Sequence, residues 1–69
     1  MDKEVKIDTE YIKLDSLMKL AGAFDTGGMA KMAIQHGTVM VNGEICTMRG
    51  KKMRKGDNFS FKGEVCTVI

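Results

Sequence analysis

Apolar and polar positions alternate at the start of this chain, then recur every three to four residues, then alternate again. Val5-Lys6-Ile7 alternates, and Tyr11-Ile12 follows the polar Asp8-Thr9-Glu10, so the opening predicts a short strand or extended arm. From Leu14 the period lengthens. Leu14, Leu17, Met18 and Ala21 fall at i, i+3, i+4 and i+7, leaving Lys13, Asp15, Ser16 and Lys19 for solvent. This predicts a first helix ending near Gly22. A second helix follows: Asp25 and Thr26 offer capping oxygens, Met29, Ala30, Met32, Ala33 and Ile34 supply an apolar stripe, and Gly37 terminates it. On this spacing Met18, Met29 and Met32 fill gaps in a small core.

Beyond Gly37 the period returns to two. Residues 39–46 read as strand, Asn42-Gly43 turn and strand, because both turn residues tolerate positive φ. A two-residue loop pairs Val41 with Glu44 and Val39 with Cys46, and turns Val39, Val41 and Cys46 to one face. The tail repeats the device: Phe59 and Phe61 alternate with polar residues, Lys62-Gly63 turns, and residues 65–69 close the pair with Cys66 opposite Phe59. The expected architecture is α+β, two short helices packed on a small curved antiparallel sheet. No linker or repeat divides the chain, so one domain over residues 1–69 is expected.

Composition narrows the function classes. With 69 residues, 43% apolar and 29% charged, the chain should fold without a partner but has little room for an enclosed active site. Two cysteines without a CxxC pair, beside one histidine, support neither a disulfide framework nor a four-ligand zinc site; both cysteines are expected to be reduced core residues. No apolar run approaches the roughly 20 residues that span a bilayer, and the first residues lack a signal-peptide core, so a cytoplasmic location is expected. No catalytic set is present: there is no Walker glycine loop and only one imidazole. Neither enzyme activity, nor a cofactor, nor a small-molecule substrate is expected.

Two segments could hold an anion. At the second helix start, Gly27 and Gly28 bare backbone N–H groups that have no intrahelical partner, and steps of four reach Lys31 and Gln35, a track opposite the apolar stripe. The same glycines could simply let the chain turn into a helix with a solvated face. The second segment, Arg49-Gly50-Lys51-Lys52-Met53-Arg54-Lys55, carries five cations in seven residues with no acid between them. It can neutralise phosphates, or merely solubilise a loop. The formal net charge of +2 decides nothing, since clustering rather than the sum sets affinity for a polyanion. His36, at the end of the second helix, can stack on a base or cap the helix, and Phe59 and Phe61 are needed in the core, so no aromatic stacking platform is expected.

Four segments in order, Lys13-Leu14-Asp15, Asp25-Thr26-Gly27-Gly28 with Ala30, Gly37-Thr38-Val39-Met40-Val41-Asn42-Gly43, and Lys55-Gly56-Asp57, together resemble the S4 RNA-binding domain, with a core at about residues 12–61. The glycine pair and Arg49-Gly50-Lys51-Lys52 look closer still to the small stand-alone bacterial S4-like proteins. The resemblance implies the S4-like (alpha-L) fold and RNA lying along the second helix and adjacent hairpin loops. It implies contacts from Lys13, Thr26, Gly27, Gly28, Lys31, Gln35 and Asn42, to which the charge pattern adds Arg49, Lys51, Lys52 and Arg54. Many S4 domains carry an arginine where Gly27-Gly28 stands, which shifts weight here to backbone N–H groups and Lys31. The expected partner is structured RNA, ribosomal RNA or tRNA, with ribosomal subunits as a possible setting. The alternative is a module that docks an acidic or ribosomal protein through the same basic face.

Overall fold

The computed structural model describes residues 2–23 and 27–69. In chain order these form β1 (Asp2–Val5), β2 (Ile12–Lys13), α1 (Leu14–Leu20), α2 (Gly27–Gln35), β3 (Met40–Val41), β4 (Glu44–Ile45), β5 (Lys52–Met53), β6 (Asn58–Phe61) and β7 (Glu64–Val68). One sheet has the order β1-β7-β6-β3-β4, and β2 pairs with β5 in a separate two-stranded ribbon. Both helices contribute to the core that this sheet closes: Leu14, Leu17 and Met18 from α1 and Ala30 and Ile34 from α2 join Val39, Val41, Met53, Phe59, Cys66 and Val68.

Both helices stop where the glycines predict, and for the same reason. Gly22 (φ +80°) and Gly37 (φ +75°) occupy the left-handed conformation that only glycine adopts without strain. In α1 the amides of Gly22 and Ala23 donate to the carbonyls of Lys19 (3.1 Å) and Met18 (3.0 Å). In α2 those of Gly37 and Thr38 donate to Ile34 (3.1 Å) and Ala33 (3.3 Å). This is the Schellman pattern, which satisfies carbonyls that a helix end would otherwise leave orphaned. Side chains finish the job: Lys3 Nζ donates to the Ala21 carbonyl (3.0 Å) and Thr38 Oγ1 to that of Ala33 (2.7 Å). The expected capping residues of α2, Asp25 and Thr26, lie outside the described residues.

The two hairpins have the expected registers. Asn42 (φ +51°) and Gly43 (φ +88°) turn β3 into β4, pairing Val41 with Glu44, and Cys46 N donates to Val39 O (3.0 Å). Lys62 (φ +50°) and Gly63 (φ +80°) do the same for β6 and β7, setting Phe59 opposite Cys66.

Three expectations need correction. Met29 and Met32 do not fill the core; they are 52% and 59% exposed, and only Met18 of the three is buried. A helix of 3.6 residues per turn and this short offers the core one narrow stripe, and Ala30 and Ile34 occupy it. The Gly27, Lys31, Gln35 row therefore runs beside the buried stripe rather than opposite it: Lys31 is half-buried, whereas Gly28, Met29 and Met32 are exposed. Finally, the sheet is antiparallel except at one edge. The first strand covers Asp2–Val5 and runs parallel to β7, continued by Ile7 N donating to Ile69 O (3.0 Å). Parallel pairing needs a long crossover and leaves no turn signature in the sequence.

Candidate nucleic-acid interface

The cation-rich segment is built into the fold. Lys52 and Met53 form β5, which pairs antiparallel with Ile12 and Lys13 immediately before α1, and Met53 is fully buried beneath it. The residue preceding α1, Lys13, offers no side-chain cap. The first helical amides are satisfied instead by the basic segment's own carbonyls: Leu14 N donates to Lys51 O (2.9 Å) and Asp15 N to Arg49 O (3.1 Å). A sequence stretch that could have been a solvated loop is thereby clamped onto a helix start.

The clamp concentrates positive charge. Lys13 and Lys52 are direct cross-strand partners, and Lys13, Arg49, Lys51, Lys52 and Arg54 are all exposed. Like charges directly opposite in an antiparallel pair are destabilising. Among the described residues no carboxylate forms a salt bridge with any of the five. Lys52 Nζ lies 5.0 Å from the Tyr11 ring centroid, which holds one ammonium over an aromatic face without neutralising it. Cations that no salt bridge engages suit a surface completed by an external anion.

The far end of the segment is tied down by a polar clip. Asp57 Oδ2 accepts from Arg54 N (2.8 Å), and Oδ1 accepts from Asn42 Nδ2 (3.2 Å). The Asn42 carbonyl oxygen in turn accepts from Asn58 N (3.1 Å). The backbone donation to Asp57 holds its carboxyl below the usual aspartate value, helped by Asn42 and by the nearby charges of Lys51 and Arg54, against a partial rise from burial. Asn42-Gly43 and Lys55-Gly56-Asp57, far apart in sequence, are thus one structural unit. Asn42, one of the expected RNA contacts, is exposed, and its amide joins the β3–β4 turn to Asp57 and Asn58.

The candidates on α2 form a second group. Gly27 opens the helix, Gly28 and Gln35 are exposed, and Lys31 is half-buried. Thr26 lies outside the described residues. The two helices pack on each other, but among the described residues no hydrogen bond joins α2 to residues 49–54. His36 is exposed, its N–H donating to Met32 O (3.0 Å) as the helix ends. Sequence reasoning missed the role of Tyr11 beside Lys52, although its position two residues before Lys13 in an extended segment put it within reach. It also missed the capping carbonyls of Arg49 and Lys51, for which residue identity holds no signal.

The model of the S4 domain family matches residues 5–69. This chain belongs to the S4 domain family. Among curated proteins, this S4 domain is 40% identical over 63 residues to "Probable ribosome maturation protein RlbA" of Bacillus subtilis (strain 168), covering 91% of this chain and 89% of that protein. It is 36% identical over 59 residues to YbcJ of Escherichia coli (strain K12), covering 86% and 84%. Among solved structures, the solution structure of YbcJ, described as revealing a motif involved in RNA-binding, superposes with a TM-score of 0.71 at 31% identity over 99% of this chain and 85% of that one.

Proposed function

We propose that this S4 domain binds structured RNA, ribosomal RNA or tRNA, by its phosphates, and acts in the cytoplasm in the setting of ribosome maturation. The observation that carries the reading is the direct opposition of Lys13 and Lys52 beside Arg49 and Lys51, clamped to the α1 start. Cations held this way are pre-organised for a row of phosphates, so little side-chain and loop ordering remains to oppose binding. Arg54 extends the row, while Gly27, Gly28, Lys31 and Gln35, with Thr26, supply backbone donors, a cation and an amide along α2. The name of the Bacillus relative supports the ribosomal setting, and the YbcJ structure supports RNA as the ligand.

The test is binding to ribosomal subunits and to total RNA across a salt series. Contacts from Lys13, Arg49, Lys51 and Lys52 give a log–log slope of about −3, at about 0.7–0.9 per phosphate contact. Replacing Lys51 and Lys52 with alanine lowers the magnitude by about 1.4–1.8, and Lys31→Glu weakens binding to all structured RNAs. An unchanged slope in the double variant removes the basic segment from the interface. Binding to subunits that survives ribonuclease treatment transfers the face to an acidic protein partner.

A further inference from the structure

Beside the basic segment, the β3–β4 hairpin and the residues after it enclose an open groove of ≈ 470 Å³. That volume falls within the range of about 300–1,000 Å³ typical of small-ligand sites. Ile45 and Met48, 67% and 66% exposed, line the groove together with Val41, while Glu44 and Thr47 contribute polar groups and Lys51 a cation. An exposed apolar side chain, Met48, in a groove that shares Lys51 with the cation row suits a flat, partly apolar occupant that is joined to phosphate.

We infer that this groove receives a single unstacked base of the bound RNA, and that Glu44 reads it as guanine. The inference rests on the RNA-binding reading above. The polarisable thioether of Met48 offers the apolar contact that replaces stacking when a base leaves its neighbours. Lys51 is common to the groove and the phosphate row, so a nucleotide can put its base in one and its phosphate on the other. Glu44 stands on the edge strand β4, with no hydrogen bond or ion pair to its carboxylate among the described residues. A carboxylate there repels phosphate and accepts hydrogen bonds only from donors. Guanine is the base whose Watson–Crick edge presents two adjacent donors, N1–H and N2–H, matching both carboxylate oxygens at once. Adenine presents an acceptor at N1 and is disfavoured there.

The experiment uses the full chain and a stem-loop RNA whose loop is uridine except for one guanosine, with adenosine and inosine versions, measured by fluorescence anisotropy at fixed salt. The guanosine loop is expected to bind about tenfold or more tighter than the adenosine loop, with inosine between them because it lacks the 2-amino donor. Glu44→Gln brings the guanosine-to-adenosine ratio close to one. Met48→Ala, at an exposed position, weakens all versions several-fold and leaves the ratio in place. Salt-sensitive binding that falls when Lys51 and Lys52 are replaced, yet ignores the loop base, Glu44→Gln and Met48→Ala, rejects the groove and leaves the phosphate reading intact. A guanosine preference that persists in Glu44→Gln rejects Glu44 as its reader. Absence of salt-sensitive binding to every version overturns the RNA reading, and the groove's role with it.

Discussion

Asp57 connects three backbone segments through one carboxylate, accepting from Arg54 N and Asn42 Nδ2 while its own N–H donates to Arg54 O (2.9 Å). Because its carboxyl titrates below the usual aspartate value when folded, the unfolded chain binds the proton first as pH falls. The clip's contribution is therefore fully present above the ordinary aspartate range, about pH 4–5, and is lost as pH drops toward the folded value. Urea unfolding from pH 7 down to about 2.5 should show native stability declining more steeply with acid than that of Asp57→Asn; parallel curves would exclude Asp57 as a source of the acid sensitivity. The two thiols form another residue-level contrast. Burial pushes the Cys66 thiol up, only partly offset by the Lys3 charge, and its side chain is almost wholly covered, whereas Cys46 is half-buried. A thiol-specific reagent on the native protein should modify Cys46 quickly and Cys66 only as the chain opens, and Cys46→Ser should leave the slow phase alone.

At the scale of elements, the β2–β5 ribbon carries an electrostatic cost. Lys13 faces Lys52 across two residues of strand, and only Lys52 has compensation, from the Tyr11 ring. Lys13→Ala should raise thermal stability by a few tenths to about 1 kcal/mol, while Lys52→Ala gains less because it also forfeits a cation–π contact of similar size. Both should weaken RNA binding. Thermal melts set beside binding curves test this opposition; a Lys13→Ala protein that is less stable than the native one contradicts it. The helices show how little sequence an element end needs. Gly22 and Gly37 close α1 and α2 with the same pair of backbone hydrogen bonds, although the flanking side chains share nothing.

Across the whole molecule, Met53 links the interior to the basic segment. It is fully buried, and its neighbours Lys51 and Lys52 carry cations outward while the Lys51 carbonyl caps α1. Met53→Ala should destabilise the protein by about 2–5 kcal/mol, a large share of what a chain this small can have. Met53→Leu should cost far less. In hydrogen exchange under native conditions, the amides of Leu14 and Asp15 should lose protection in Met53→Ala before those of β7 do, because the basic segment leaves the helix start. Uniform loss of protection would mean that the segment and the sheet unfold as one unit.

Local rules explain which features the sequence determined by itself. Positive φ at Asn42-Gly43 and Lys62-Gly63, glycine at both helix ends, and the two hairpin registers follow from backbone sterics and strand alternation within a few residues. Four segments, Lys13-Leu14-Asp15, Asp25-Thr26-Gly27-Gly28 with Ala30, residues 37–43 and Lys55-Gly56-Asp57, sufficed for the family. Tertiary structure decided what depends on distant neighbours. Burial of Ala30 and Ile34 rather than Met29 and Met32 depended on which side of a short helix meets α1 and the sheet, a choice that the broad apolar stripe of α2 left undetermined. The parallel seat of β1 on β7 needed partners more than sixty residues away. The gathering of Lys13 with Arg49, Lys51 and Lys52 depended on backbone carbonyls capping a helix, and carbonyls are present at every residue whatever its identity.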